Sequence, residues 1–412
     1  MKTLVNIFDP EEPLAAYLFL KQYYEEEDRL LFISTREDRQ LLAPYATLFR
    51  LPDDKIDFIA FKRDEDSYIY ERISRRLQSR LDPSAQYWVN LAGGTRYLAL
   101  AVQHVFSQFD ARLFYVQTRE NLIVRSPFDD RVDLSRDAVD TIRYRMSMAE
   151  YFRLHGLSHD LAGSNHRPTR SEADALRVFD CFRARRLPHR AFEALELLRL
   201  HYRGTLHALS IRAITLGKRE GKATASVARG GSPFNTGRGP LPAVRRAVPG
   251  LPVLLDALGF VPQVPDMLQP HEVDYLTGGW FEEYVYYTLL RLVLPQQIAI
   301  GVRIARPGMQ HNNELDVVFI KANTLFVVEC KTGVASDHMF NEIVYKASAL
   351  KESFLGPSCH SYIFTLKQDY DHKLHDVAAM MGITLCPKGT LVSPELMGKV
   401  AEQMHRISNE MD

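Results

Sequence analysis

The chain has 412 residues, enough for two or three domains at roughly 150 residues each. Its 46% apolar and 25% charged content is that of an ordinary globular protein, and 51 basic residues cancel 51 acidic ones, so any nucleic-acid surface must be local. The four cysteines are dispersed without C-x-x-C spacing, no signal-peptide core is present, and no apolar run could span a bilayer, which together predict a cytoplasmic protein without disulfides, zinc ribbons or a membrane partner.

The first 136 residues alternate short apolar runs with amphipathic stretches. Leu4–Phe8, Leu30–Ser34, Ile56–Ala60, Tyr87–Leu91 and Leu113–Gln117 read as strands. Leu14–Tyr24, Glu37–Leu48, Tyr68–Leu81 and Tyr97–Phe109 read as the intervening helices, and Asn121–Val124 as an edge strand. Such alternation predicts a mostly parallel sheet covered on both faces, a Rossmann-like α/β domain. Residues 137–260 read as a helical linker region, with helices over Ser171–Arg185 and Pro188–Tyr202. Gly217–Pro240 is rich in Gly, Arg and Lys and holds a single acid, Glu220, so it reads as a mobile basic loop. Residues 261–412 return to an α/β pattern, with a helix at Trp280–Leu294, a helix at Met339–Lys351, a strand at Ser361–Thr365 and terminal helices.

The most informative stretch is Asn313–Ile320 followed by Leu325–Lys331, two apolar strands joined by a polar turn. A turn symmetric about Ala322 and Asn323 sets Asp316 opposite Glu329 and Glu314 opposite Lys331. Strict alternation then projects all four side chains from one face. A lone Glu-x-Lys is usually a solvated ion pair. Two opposed carboxylates on an apolar strand pair instead suit a divalent cation, with a lysine beside it. Carboxylates and a backbone carbonyl, that of Cys330, match the oxygen preference of Mg2+ or Mn2+. The Cys330 side chain is expected on the buried face, without a nucleophilic role. Upstream, Gly278-Gly279 opens a helix whose amino end carries Glu282 and Glu283, one of them a candidate for the same site and equally a plain first-turn acid.

In order, these elements are a helix with Glu282, a strand with Asp316, a strand with Glu329-x-Lys331, and a helix with Lys346. That order resembles the PD-(D/E)xK nuclease superfamily over the last third of the chain, with Leu315 in place of the proline. The resemblance implies a restriction-endonuclease-like fold, metal-dependent phosphodiester hydrolysis, and catalytic roles for Asp316, Glu329, Lys331 and Glu282.

Near the amino end, Asn90-Leu91-Ala92-Gly93-Gly94-Thr95-Arg96 leaves a strand and enters a helix, where free N–H groups attract phosphate. A plain turn capped by Thr95 fits the same residues. The loop after the first strand, Phe8-Asp9-Pro10-Glu11-Glu12-Pro13, leaves the same carboxyl edge of the sheet, where doubly wound folds bind ligands. Asn90 to Arg96 resembles the Asn-x-x-Gly-Gly-Thr-Lys motif of CARF domains, with Arg96 in place of lysine. Joined to the downstream nuclease pattern, it resembles the ancillary nucleases of type III CRISPR defence. This resemblance implies a homodimer that binds a cyclic oligoadenylate, cyclic tetra-adenylate foremost, through Phe8, Asp9, Pro10, Glu11, Gly93, Gly94, Thr95 and Arg96, and that cleaves DNA or RNA. The competing readings are a constitutive restriction or repair nuclease and a non-catalytic, nucleotide-sensing DNA-binding regulator. The pairs His155/His159 and His372/His375 lack the adjacent Glu of a zinc helix, and Tyr284, Tyr286 and Tyr287 read as packing residues.

Overall fold

Five short apolar runs of the amino-terminal region become adjacent parallel strands, as their alternation with helices requires. The computed structural model describes residues 1–62, 68–126, 139–162, 166–184, 186–199, 213–219, 222–228, 248–263, 267–307, 313–332 and 337–408. In chain order the first domain runs β1 (Thr3–Phe8), α1 (Leu14–Tyr23), β2 (Arg29–Ser34), α2 (Ala43–Phe49), β3 (Ile56–Ala60), α3 (Tyr70–Gln78), β4 (Tyr87–Asn90), α4 (Arg96–Phe106), β5 (Ala111–Gln117), β6 (Leu122–Arg125) and β7 (Val139–Thr141). The sheet order is β3-β2-β1-β4-β5-β6-β7, parallel through β5 and antiparallel at β6 and β7. The chain builds outward from β1 to β3 and then returns to place β4 on the other side of β1. The crevice between β1 and β4 is therefore the switch point at which such folds bind ligands. Two sequence expectations shift here. Glu37–Leu48 splits into a 3-10 turn, Arg39–Leu42, and α2, because Pro44 cannot continue a preceding helical hydrogen-bond pattern. The sheet also takes in Val139–Thr141, beyond the expected boundary at 136, through an edge strand too short to show alternation.

The middle region holds α5 (Met148–Leu154), β8 (Ser158–His159), α6 (Glu172–Arg183), α7 (His189–Leu198), β9 (Ala213–Arg219), β10 (Lys222–Ala228), α8 (Leu251–Leu258), β11 (Met267–Leu268) and α9 (Pro270–Asp274). The expected basic loop is corrected in part. Residues 217–219 and 222–228 belong to an antiparallel hairpin, β9 with β10, that β11 extends, and the rest of the expected loop lies outside the described residues. Its Lys, Arg and Gly content concealed a Thr-Ala-Ser-Val run of ordinary strand character.

The last domain comprises α10 (Trp280–Val293), β12 (Gln297–Ala305), β13 (Asn313–Lys321), β14 (Thr324–Lys331), α11 (Asp337–Leu350), β15 (His360–Thr365), α12 (His372–Met380), β16 (Ile383–Cys386), α13 (Lys388–Val392) and α14 (Pro394–Ser408). Its sheet runs β16-β15-β14-β13-β12-β8, so the middle region supplies the edge strand. One face packs on α10, where Trp280, Phe281, Val285 and Leu289 meet Val317, Phe319, Phe326 and Val328. On the other face, Val318, Ile320, Leu325 and Val327 share a core with Phe8, Tyr17 and Tyr45 of the first domain and Tyr151 and Phe152 of α5. The two domains are thus joined by buried apolar surface. The β13–β14 turn deepens that union. Ala322 and Asn323 both take positive φ, 44° and 66°, as a two-residue hairpin turn requires. The fully buried Asn323 side chain accepts from the Met146 N–H at 2.7 Å and donates to Asn121 Oδ1 at 2.7 Å and to the Tyr144 carbonyl at 2.9 Å. Among the described residues, no helix is long and apolar enough to cross a membrane.

Candidate functional site

The hairpin register follows the turn, with Lys321 opposite Thr324 and Val317 opposite Val328. There the ladder stops, one step before Asp316 and Glu329. Cys330 N–H instead donates to the Asp316 carboxylate, at 2.8 Å to Oδ2. On the other side of β13 the ladder passes from Ile300–Val317 to Val302–Leu315, skipping Gly301, whose φ is 62°. Alternation reverses across this break: Val317 belongs to the core under α10, whereas Leu315, two residues away, belongs to the core shared with the first domain. The expectation that Glu314, Asp316, Glu329 and Lys331 share one face is therefore corrected. Glu314 lies on the exposed side and pairs with Arg303, Oε2 to Nε at 3.5 Å, rather than facing Lys331. Lys346 borders a small crevice with Glu314 and Glu329.

The same break brings Asp316 to Lys331. The Lys331 ammonium bonds the Glu329 carboxylate and lies 3.4 Å from Asp316 Oδ2, bridging two carboxylates that are each largely shielded from water. Burial pushes the Asp316 carboxyl up to about 6, the Glu329 charge adds to the rise, and Lys331 with the Cys330 N–H opposes it. Burial alone would lower the Lys331 pKa, but the charges of Asp316 and Glu329 outweigh it and hold the ammonium firmly protonated. Burial raises the Cys330 thiol well above its ordinary range, which suits a packing side chain rather than a nucleophile.

Of the two acids on α10, Glu283 is committed elsewhere. It accepts from Thr169 N at 2.6 Å, Thr169 Oγ1 at 2.7 Å and Arg170 N at 3.1 Å, tying the middle region to α10. Glu282 instead lines a cavity of about 930 Å3 together with Asp316, Cys330 and Lys331. Sequence reasoning missed further lining residues of that cavity, Phe192, Glu196 and Arg199 at α7. Arg199 donates to the Thr277 carbonyl at 3.1 Å, to Glu196 at 2.7 Å and to Thr332 Oγ1 at 3.2 Å. No local pattern in α7 announces this role, because its partners lie about 80 and 130 residues downstream.

Among the described residues, no three His, Cys, Asp or Glu side chains cluster closely enough to hold a metal. The donor set nevertheless suits a hard cation. Asp316 and Glu329 already converge on one positive charge, the Lys331 ammonium, and the desolvated Asp316 carboxylate gains from any further cation that approaches it.

At the other site, the β1 and β4 loops leave adjacent strands, joined beneath by a buried Asn90 Nδ2 to Asn6 Oδ1 hydrogen bond of 3.1 Å. Gly93, with φ 136°, abuts the β1 backbone so closely that a Cβ would fall 2.2 Å from the Ile7 carbonyl oxygen. Gly94 takes φ 60°. Thr95 Oγ1 accepts from Leu98 N at 3.2 Å and caps α4, the plainer of the two readings of this residue. Arg96 is exposed at the first turn. Phe8 is buried against Phe32 and Tyr45, so only its backbone can reach a ligand. Asp9 Oδ1 accepts from Glu11 N at 3.0 Å, which shapes the loop through Pro10. The Glu11 carboxylate pairs with Arg36 at 2.9 Å, a cation that follows β2 and that sequence reasoning passed over. Tyr284 packs as its helical setting leads one to expect, and His155, from one of the histidine pairs, also takes part in ring stacking. His155 is half-buried and stacked on Tyr151 at 4.4 Å, and Tyr284 stacks on Phe179 at 3.8 Å.

A doubly wound sensor domain of the CARF class is thus joined to an endonuclease domain whose central hairpin carries Asp316, Glu329 and Lys331. The family model of the Card1 CARF domain matches residues 10–151, and that of the Card1-like endonuclease domain matches residues 270–391. Together they span well over half of the chain, which thus carries a Card1-type CARF domain and a Card1-like endonuclease domain. Among solved structures, protein VC1899 from Vibrio cholerae is similar with a TM-score of 0.67 and 16% identity, covering 98% of each chain. Can2 from Sulfobacillus thermosulfidooxidans, in complex with cyclic tetra-adenylate, gives a TM-score of 0.64 and 15% identity over 99% of this chain and 97% of its own. At those identities the likeness speaks to the fold. No curated protein matches the chain at significant sequence similarity.

Proposed function

We propose that this chain is a cyclic-oligoadenylate-activated, divalent-metal-dependent nuclease of type III CRISPR defence, working in the cytoplasm as a homodimer. The observation that carries the reading is the Lys331 ammonium held between Asp316 and Glu329 at a cavity that also receives Glu282, in a chain carrying both family domains. Asp316, Glu329 and the Cys330 carbonyl would hold Mg2+ or Mn2+, which when bound supplies an acidified water and offsets charge on the scissile phosphate. Lys331 orients the attacking water and stabilises charge developing on the phosphate oxygens. Glu282, which lines the same cavity, would hold a second ion or a water. The buried setting strengthens each of these interactions.

For the activator, the narrow approach of Gly93 to β1 leaves backbone N–H groups at the start of α4 facing the switch-point crevice, with Arg96 beside them. Cyclic tetra-adenylate, the ligand in the Can2 complex, is the proposed ring. A symmetric ring suits a two-fold dimer. Exposed Tyr97 and Leu100 on α4, with Tyr68 and Ile69 beside α3, form an apolar surface fit for the partner copy. The test is cleavage of labelled single- and double-stranded DNA and RNA by the full chain, with each candidate ring crossed against Mg2+, Mn2+ and chelator. The reading expects cleavage only with ring and metal together. Equal cleavage without any ring would favour a constitutive nuclease, and none under any condition would remove the enzymatic reading.

A further inference from the structure

Residues 152–269 fall between the two matched family segments, yet α7 from this stretch forms a wall of the cavity over Asp316 and Lys331. We propose that α7 is the substrate-holding wall of that cavity, with Phe192 receiving a nucleobase beside the scissile phosphate and Arg199 fixing the cavity's two sides. The proposal rests on the nuclease reading above and adds to it the element that grips the substrate.

Helix α7 already has a complete buried stripe in Ala191, Ala194, Leu195 and Leu198, each fully buried. Phe192 is therefore not needed to seat the helix, and it stands 51% exposed while lining the same cavity as Asp316 and Lys331. An open phenyl ring at a polar cavity offers a stacking face that any base can use. The charges lining the cavity balance: Arg199, Lys331 and Lys388 against Glu196, Glu282 and Asp316. A bound divalent cation tips that balance positive, which favours a phosphodiester over a neutral ligand. Arg199 ties together two of the segments that line the cavity. Its Nε bonds the Thr277 carbonyl just before α10, which carries Glu282, and its Nη2 bonds the Thr332 hydroxyl just after Lys331. It is a positioning residue, and its planar fork reaches both partners at once, which a lysine amine cannot do.

The test uses the full chain with cyclic tetra-adenylate and a fluorescein-labelled oligothymidylate, in DNA and RNA forms. Binding is read by anisotropy in a Glu329→Gln background, and steady-state cleavage in the otherwise wild-type chain. Phe192→Ala is expected to weaken binding about tenfold, and to raise KM more than it lowers kcat. Phe192→Trp is expected to restore both, with thermal midpoints held. Arg199→Lys is expected to lower kcat about tenfold with a smaller change in KM. Phe192→Ala binding and cleaving like the wild type, or Phe192→Trp failing as badly as alanine, overturns the assignment of α7. If the wild-type chain neither cleaves nor binds with any ring, the nuclease reading falls as well.

Discussion

Replacing Asn323 tests whether the β13–β14 hairpin is locked against the first domain and the segment after it by its tip. Asn323→Gly keeps the positive φ of 66° but removes three hydrogen bonds made by a side chain with no exposed surface. It strands the Met146 N–H, a buried donor, and leaves the Tyr144 carbonyl and Asn121 Oδ1 each short of a donor. A stranded buried polar group costs about 1 to 3 kcal/mol, the acceptors towards the lower end, so the total is about 3 to 5 kcal/mol. Asn323→Ala adds about 1 kcal/mol because Ala resists the left-handed conformation. Urea denaturation of both variants, with hydrogen exchange on residues 313–331, measures the effect. An Asn323→Gly protein within about 0.5 kcal/mol of wild type, no more than the spread of ordinary surface substitutions, would refute the reasoning.

The remaining predictions address charge and backbone. Burial alone would raise the Glu150 carboxyl, but hydrogen bonds from Tyr144, Ser147 and Tyr17 outweigh it and hold the pKa at about 2. Its stabilisation is complete above the unfolded value near 4.5 and is lost as pH falls through about 2. Glu150→Gln should therefore lower stability by up to about 3 kcal/mol at pH 7, and thermal melts should converge with wild type near pH 2. A gap that persists there would assign the loss to packing. Asp316 has the opposite sign. Its folded pKa is raised to about 6, so the metal-free protein gains stability as pH falls through that value. Asp316→Asn should accordingly raise the metal-free melting temperature at pH 8 while removing cleavage, and a lowered melting temperature would contradict this. Gly93→Ala should destabilise the first domain by more than about 2 kcal/mol, since the added carbon would lie 2.2 Å from the Ile7 oxygen. An unchanged melt would show that β1 can yield. Thr95→Ala removes a helix cap and costs about 1 kcal/mol whatever it does to ligand binding. Exposed Arg96→Ala is the cleaner probe of the activator site, expected to weaken ring binding with an unchanged melt.

The parallel sheet was legible because its strands are apolar runs separated by amphipathic helices, and the hairpin register because Ala322-Asn323 fits a two-residue turn. The face of Asp316 was not. Simple alternation put it on one side with Glu314, and the glycine that breaks alternation, Gly301, sits on the neighbouring strand. A lone glycine within a strand pattern signals such a break, and this was the one available clue. The choice between Glu282 and Glu283 depends on Thr169 and Arg170, more than a hundred residues upstream, so no local rule could make it. Arg199 and Phe192 were hidden for the same reason. The hydroxyl of Thr95 could be read as a cap or a ligand contact from its position alone, and the structure engages it as a cap.

The most direct test of the account is single-turnover cleavage by the wild-type chain and by Glu329→Ala, with Mn2+ and with or without cyclic tetra-adenylate. The account predicts cleavage by the ring-bound wild type alone, with Glu329→Ala inactive while still binding the ring. Full cleavage by ring-bound Glu329→Ala would contradict it.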